Sequence, residues 1–163
     1  MPRRFASSLL LALPLGMAAP AAAQRLVVHR APGDSVVLDA PRLAALPRET
    51  VRGRDHGRDA TFEGTPLRAV LSAAGIRTDS LRGAALTEVL VAEATDGYRI
   101  AIALSELSPD LGARAVLVAD RRDGAPLSAT EGPLRLVVAT DGRPARWIRQ
   151  VTTLRIVRVP SAR

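Results

Sequence analysis

What most constrains this chain is the way its apolar runs are cut. After residue 24 they are short, rich in Val, Leu and Ile, and separated by turn residues. Runs of that kind bounded by Gly, Pro and Asp read as strands. Arg25 to Arg30 and Ser35 to Leu38 flank Ala31-Pro-Gly-Asp34 and read as a hairpin. Thr50 to Arg54 and Ala60 to Glu63 read as a second strand pair around Asp55-His-Gly-Arg-Asp59. Glu88 to Ala94 and Tyr98 to Leu104 flank Thr95-Asp-Gly and read as a third pair. Ala115 to Ala119, Leu134 to Thr140 and Val151 to Val159 supply the remaining strands, and Asp123-Gly124 and Asp141-Gly142 mark further turns.

One stretch has a different period. From Thr61 to Gly75, Leu67, Val70, Leu71 and Ala74 recur at helical spacing. Gly75 is placed to close this helix, and Pro66 falls at its first position. Thr65 is expected to cap it, Gly64 to make the turn before it, and Phe62 to point inward. Pro41 to Leu46, the residues after Ser105, and Pro144 to Gln150 each suit a single helical turn. The pattern predicts an α+β (mixed α/β) domain: strand-rich mixed sheets, one principal helix and short helical turns. Helical stretches are too few for a doubly wound parallel sheet.

The domain is expected to span residues 24–163. Residues 1–23 read as a signal peptide. Arg3 and Arg4 precede an apolar run, Phe5 to Met17, and Ala21-Ala22-Ala23 offers a cleavage site. This predicts a periplasmic or secreted protein, cleaved near Ala23. Ser161 to Arg163 are expected to fray.

The chain contains no Cys, which removes zinc-thiolate sites, iron–sulfur clusters, disulfides and Cys nucleophiles. The two His are far apart, so no metal site is expected. No Ser lies in a nucleophile-elbow sequence, and no catalytic residue is assigned. Asp55 with Asp59, and Asp120 with Asp123, read as turn formers. All 23 basic residues are Arg. Without Arg3 and Arg4, 21 Arg face 16 acids, a net charge of +5. Basic residues never run beyond two in a row, and the aromatic residues are two Phe, one Trp and one Tyr. A nucleic-acid surface needs a basic stripe with stacking platforms, so nucleic acid is not an expected partner.

Several residues stand out as candidates for a ligand groove. Asp96 and Tyr98 flank a turn, which by itself explains them. Together they also offer a carboxylate that can accept paired N–H donors and a ring that can stack. Trp147 reads either as a core anchor or as a groove residue. If Ala145 to Gln150 is a helical turn, Arg146 and Arg149 share a face and present two guanidinium forks, either to a ligand or to solvent. Arg54 and His56 lie in the loop before the principal helix. His56 there is either a solvated side chain or a pH-sensitive contact.

The order of motifs is more specific than any one of them. Phe62-Glu-Gly-Thr-Pro-Leu67 leads into Leu71-Ser-Ala-Ala-Gly75. Ala94-Thr-Asp-Gly-Tyr98, Leu104-Ser-Glu-Leu107 and Asp123-Gly-Ala-Pro-Leu127 follow. The series ends with Glu131-Gly-Pro-Leu-Arg-Leu136 and Ala145-Arg-Trp-Ile-Arg-Gln-Val151. It resembles the molybdopterin-binding oxidoreductase domain of the sulfite oxidase fold, in its small exported bacterial form, over roughly Leu43 to Val157. The resemblance implies a ligand groove built largely from loops, with Arg54, His56, Asp96, Tyr98, Arg146, Trp147 and Arg149 as its residues. Catalytic members ligate molybdenum through a Cys on the segment that corresponds to about Val51 to His56. Here that segment offers Arg52, Arg54, Asp55 and His56, and neither a carboxylate nor an imidazole replaces a soft thiolate.

The implied function is a non-catalytic binding or sensory module. Its ligand is small, flat, polar and pterin-like, and it signals to a membrane-bound or periplasmic protein partner. No cofactor is certain; pterin and molybdopterin are the candidates. The alternatives are a molybdopterin-dependent oxidoreductase that holds its cofactor without a Cys ligand, and a purely structural partner of another exported protein.

Overall fold

A computed structural model describes residues 24–159. The predicted signal peptide and the last residues of the chain lie outside that range.

Among the described residues the chain forms two five-stranded sheets. The first runs in the order β2 (Asp34–Asp39), β1 (Arg25–Ala31), β10 (Val151–Arg158), β5 (Glu88–Ala94), β6 (Arg99–Ala103). Its β1–β10 pair is parallel and its other pairs are antiparallel, so the sheet is mixed. The second runs β3 (Glu49–Asp55), β4 (Arg58–Pro66), β7 (Val116–Arg122), β8 (Ala125–Pro126). Its fifth strand, β9 (Arg135–Val138), pairs with Val116–Ala119 of β7 on the edge away from β4, the edge that β8 also joins. Helix α1 (Ala40–Ala44) follows β2, capped by the Asp39 carboxylate on the Arg42 N–H. Helix α2 (Leu67–Ala73) follows β4 and packs on β7 and β4. The predicted strand-rich α+β architecture is therefore observed.

The strands fall where the turn residues put them. Asp123 and Gly124 both have positive φ and join β7 to β8 as a two-residue turn. The core collects the inward residues of both sheets and one face of α2: Leu26, Val28, Phe62, Leu67, Val70, Leu71, Leu90, Leu136 and Leu154 are all fully buried. Gly75 ends α2 at φ +81°, the left-handed conformation expected there.

The entry to α2 differs from expectation. Thr65 does not cap the helix, and Gly64 makes no turn. β4 continues through both residues as they pair with Val118 and Ala119 of β7. The helix starts after Pro66 with no side-chain cap. Pairing with β7 holds the Thr65 backbone extended and buries its side chain, so the hydroxyl is not free to cap. Gly64 is needed for close approach instead. A Cβ there would lie 2.1 Å from the Val118 carbonyl oxygen, at a point where the β4–β7 register shifts.

The second difference lies between β9 and β10. The predicted helical turn over Ala145–Gln150 shrinks to a 3-10 turn at Pro144–Arg146. Beyond it the chain leaves the helical path and bends at Arg149 and Gln150, with Gln150 at φ +49°. Ile148 O accepts from Leu136 N, Gln150 N donates to Glu131 O, and Val151 N donates to Leu134 O. On its other side Gln150 O accepts from Thr95 N, so this crossover ties the two sheets together.

Candidate functional site

In β3 the side chains alternate between faces. Val51, Gly53 and Asp55 turn inward, while Arg52 and Arg54 are exposed. Gly53 lies against Trp147, where an added Cβ would meet the indole Cη2 at 2.5 Å. Asp55 is 3% exposed and meets Arg135, which is 1% exposed.

Arg135 is an arginine set in the apolar run Leu134-Arg-Leu-Val-Val138, and β9 buries all of its side chains. Its Nη2 donates to Asp55 Oδ1 at 3.1 Å and its Nη1 to Asp55 Oδ2 at 3.0 Å. The same Nη1 reaches Glu131, and Arg122 Nη1 bonds both Asp55 Oδ2 and Glu131 Oε1 at 2.9 Å. Two carboxylates and two guanidiniums thus neutralise one another. The Arg135 guanidinium also lies against two rings, 5.2 Å from the centroid of Phe62 and 5.5 Å from that of Trp147. Those rings meet edge to face at 5.4 Å. Its Nε is buried without a hydrogen-bond acceptor. Burial pushes the Asp55 carboxyl up. The hydrogen bond and charge of Arg135, with the charges of Arg122 and His56, outweigh that and hold it below its ordinary value.

His56 follows Asp55 in the two-residue turn that joins β3 to β4. Both central residues have positive φ, +49° at His56 and +84° at Gly57. Asn or Asp is preferred at the first of these positions, and a His there costs on the order of 1 kcal/mol. The turn presents the imidazole to solvent, 69% exposed, with Nε2 3.7 Å from Asp55 Oδ1. From the crossover, Arg149 Nη2 comes to 3.4 Å from the same nitrogen.

Across from them stands the β5–β6 turn. Asp96 Oδ1 accepts from the Tyr98 N–H at 2.9 Å, which leaves Oδ2 without a protein donor among the described residues. The Tyr98 hydroxyl donates to Ala145 O at 2.8 Å, which fixes a half-exposed ring against the 3-10 turn. Trp147 is buried, and its indole N–H donates to Val138 O. His56, Ala94, Asp96, Tyr98, Arg135, Pro144, Trp147 and Arg149 line one cleft of about 250 Å3.

Five of the seven predicted site residues meet in this cleft: His56, Asp96, Tyr98, Trp147 and Arg149. Arg54 does not. Strand alternation turns it to the opposite face of β3, into a shallow depression with Arg52, Asp59 and Asp123. Arg146 does not either, and the expected face shared with Arg149 is absent because the 3-10 turn ends at Arg146. Arg146 instead binds Asp141 through Nε at 2.8 Å and Nη2 at 2.6 Å, and Glu106 at 3.4 Å. Its bond to Asp141 raises its affinity for its proton. Arg114 bridges the same two carboxylates. This charged cluster holds the segment that carries Pro144 and Ala145.

Asp55 is the other correction. It is the buried anchor of the charge network and not a turn former, since β3 reaches through it before the chain turns. Arg135 and Glu131 were missed as site residues. The available signal was one arginine inside an otherwise apolar strand.

No thiolate is present to anchor a metal, and the described residues contain no cluster of three or more His, Asp or Glu side chains able to hold one. The cleft therefore does not fit a protein-ligated molybdenum.

The sulfane dehydrogenase SoxCD from Paracoccus pantotrophus superposes with a TM-score of 0.64 at 19% identity. The match covers 86% of this chain and 39% of that one, so the chain spans well under half the length of the protein it resembles. That likeness is one of fold, and the fold is the sulfite oxidase type. No curated protein matches the sequence. The family model for the oxidoreductase molybdopterin binding domain matches residues 25–162, and the chain belongs to that family.

Proposed function

We propose that this protein is an exported, non-catalytic module that binds a small pterin-type ligand in the cleft and passes its occupancy to a protein partner. One observation carries the reading: Asp96, Tyr98, Trp147, His56 and Arg149 converge on a single cleft in a molybdopterin-binding fold that has no Cys. The free Oδ2 of Asp96 suits the adjacent N–H donors of a pterin edge. The Tyr98 ring, held by its hydroxyl, offers a flat surface for stacking. Trp147 forms the floor and reports on occupancy.

Titration of the mature protein with a tetrahydropterin, followed by Trp147 fluorescence and calorimetry, tests the proposal. Saturable binding that Asp96→Asn weakens supports it. Absence of binding up to millimolar ligand removes it.

The family's own description favours a second reading, an oxidoreductase that holds molybdopterin without a thiolate. Stoichiometric molybdenum in protein isolated from its native compartment would establish that reading over the first. Export itself is tested by N-terminal sequencing of the mature protein, with Gln24 expected as the first residue.

A further inference from the structure

The reading of the cleft as a pterin-type ligand site leaves one feature of its rim without a role. Arg149 and His56 face each other at 3.4 Å. No carboxylate lies within ion-pair distance of Arg149 among the described residues. The single carboxylate near His56 is Asp55, which is already held by Arg135 and Arg122. Two basic groups therefore meet with no anion of their own.

Resting on that reading, we infer that the ligand carries an oxyanion that bridges Arg149 and His56, and that its binding draws a proton onto His56.

The argument is one of charge balance. Behind His56, the positive charges of Arg135 and Arg122 are matched by Asp55 and Glu131. That group carries no net charge. Arg149 then opposes protonation of His56 from the crossover, while Asp55 favours it from β3. Asp96, with the uncharged Tyr98, lines the far side of the same cleft. A neutral imidazole can accept from Arg149 through Nε2. An oxyanion placed between the two reverses the preference. It accepts from Arg149 and from a protonated Nε2, and both are then charge-assisted bonds.

Linkage gives the sign. The anion raises the His56 pKa, so affinity is highest where His56 is already protonated. It falls as pH rises, by up to roughly tenfold per pH unit.

The test compares pterin-6-carboxylate with uncharged 6-methylpterin between pH 5.5 and 8, by calorimetry in buffers of different ionisation enthalpy. The carboxylate is expected to bind more tightly, to weaken with rising pH, and to take up close to one proton per site near pH 7. In the NMR spectrum, the His56 ring titration moves to higher pH on binding while that of His29, the only other His, stays in place. His56→Gln removes the proton uptake, and His56→Asn, which suits the turn, does the same. Equal, pH-independent binding of the two probes overturns this inference and leaves the cleft reading standing. Proton uptake that persists in His56→Gln also overturns it. If neither probe binds at any pH, both readings fall.

Discussion

Arg135 and Asp55 form a two-pronged ion pair at 3.0 and 3.1 Å in the interior of the domain, 80 residues apart in sequence. Arg135 lines the cleft, and Asp55 holds it there from β3. The pair fixes the carboxylate next to His56 and the guanidinium against Trp147.

Removing one member of such a pair strands the other. Asp55→Ala leaves the Arg135 charge with Glu131 alone, and an uncompensated buried charge costs on the order of 3 kcal/mol. Urea denaturation should show a midpoint lowered accordingly with an unchanged slope. A loss below about 1 kcal/mol would mean that Glu131 and the aromatic rings suffice to hold Arg135.

The same pair predicts an acid limb. The folded Asp55 carboxyl sits below its ordinary value because the Arg135 bond and neighbouring charges outweigh burial. A lowered carboxyl stabilises the fold above its unfolded value, about 3.9, and that contribution is lost as pH falls through the folded value. Thermal melts from pH 6 downward should therefore be flat with respect to this group until about pH 4 and fall below it. In Asp55→Asn the part of the acid slope due to this group should be missing.

Gly53→Ala tests the floor of the cleft. The added methyl would fall 2.5 Å from Trp147 Cη2, so the indole must move. Overpacking of this kind costs about 1–3 kcal/mol. It should also shift the Trp147 emission and weaken ligand binding. Binding and emission both unchanged would show that Trp147 does not shape the site.

Arg146→Ala separates positioning from contact. Its side chain binds Asp141 and Glu106 and lies outside the cleft. A modest affinity loss is expected, with Tyr98 loosened because Ala145 no longer holds its hydroxyl firmly. Arg149→Ala, by contrast, should remove the discrimination between charged and uncharged pterins. If Arg146→Ala abolishes that discrimination as well, the assignment of Arg149 alone to the rim is wrong.

Strands, hairpins and helix α2 were legible in the sequence because local chemistry specifies them. Positive-φ turn residues, short branched runs and one helical period act over a few residues. Gly75 ends its helix for reasons contained in α2 itself. Two of the seven predicted site residues went astray because both predictions depended on side-chain direction. Arg54 and Asp55 are adjacent, and the pleat sends one to solvent and the other to the core.

The sequence by itself determined the fold class, the order of the elements and the family, since the motif series lies in the turns and capping segments that define this architecture. By having no Cys, it also excluded a thiolate of this chain as a metal ligand. Tertiary structure alone decided that Thr65 stays in a strand, that Arg146 and Arg149 part company, and that Arg135 finds Asp55. In each case a backbone ladder or an ion pair between segments distant in sequence outweighed the local preference. Neither kind of partner can be read from the residues on one side alone.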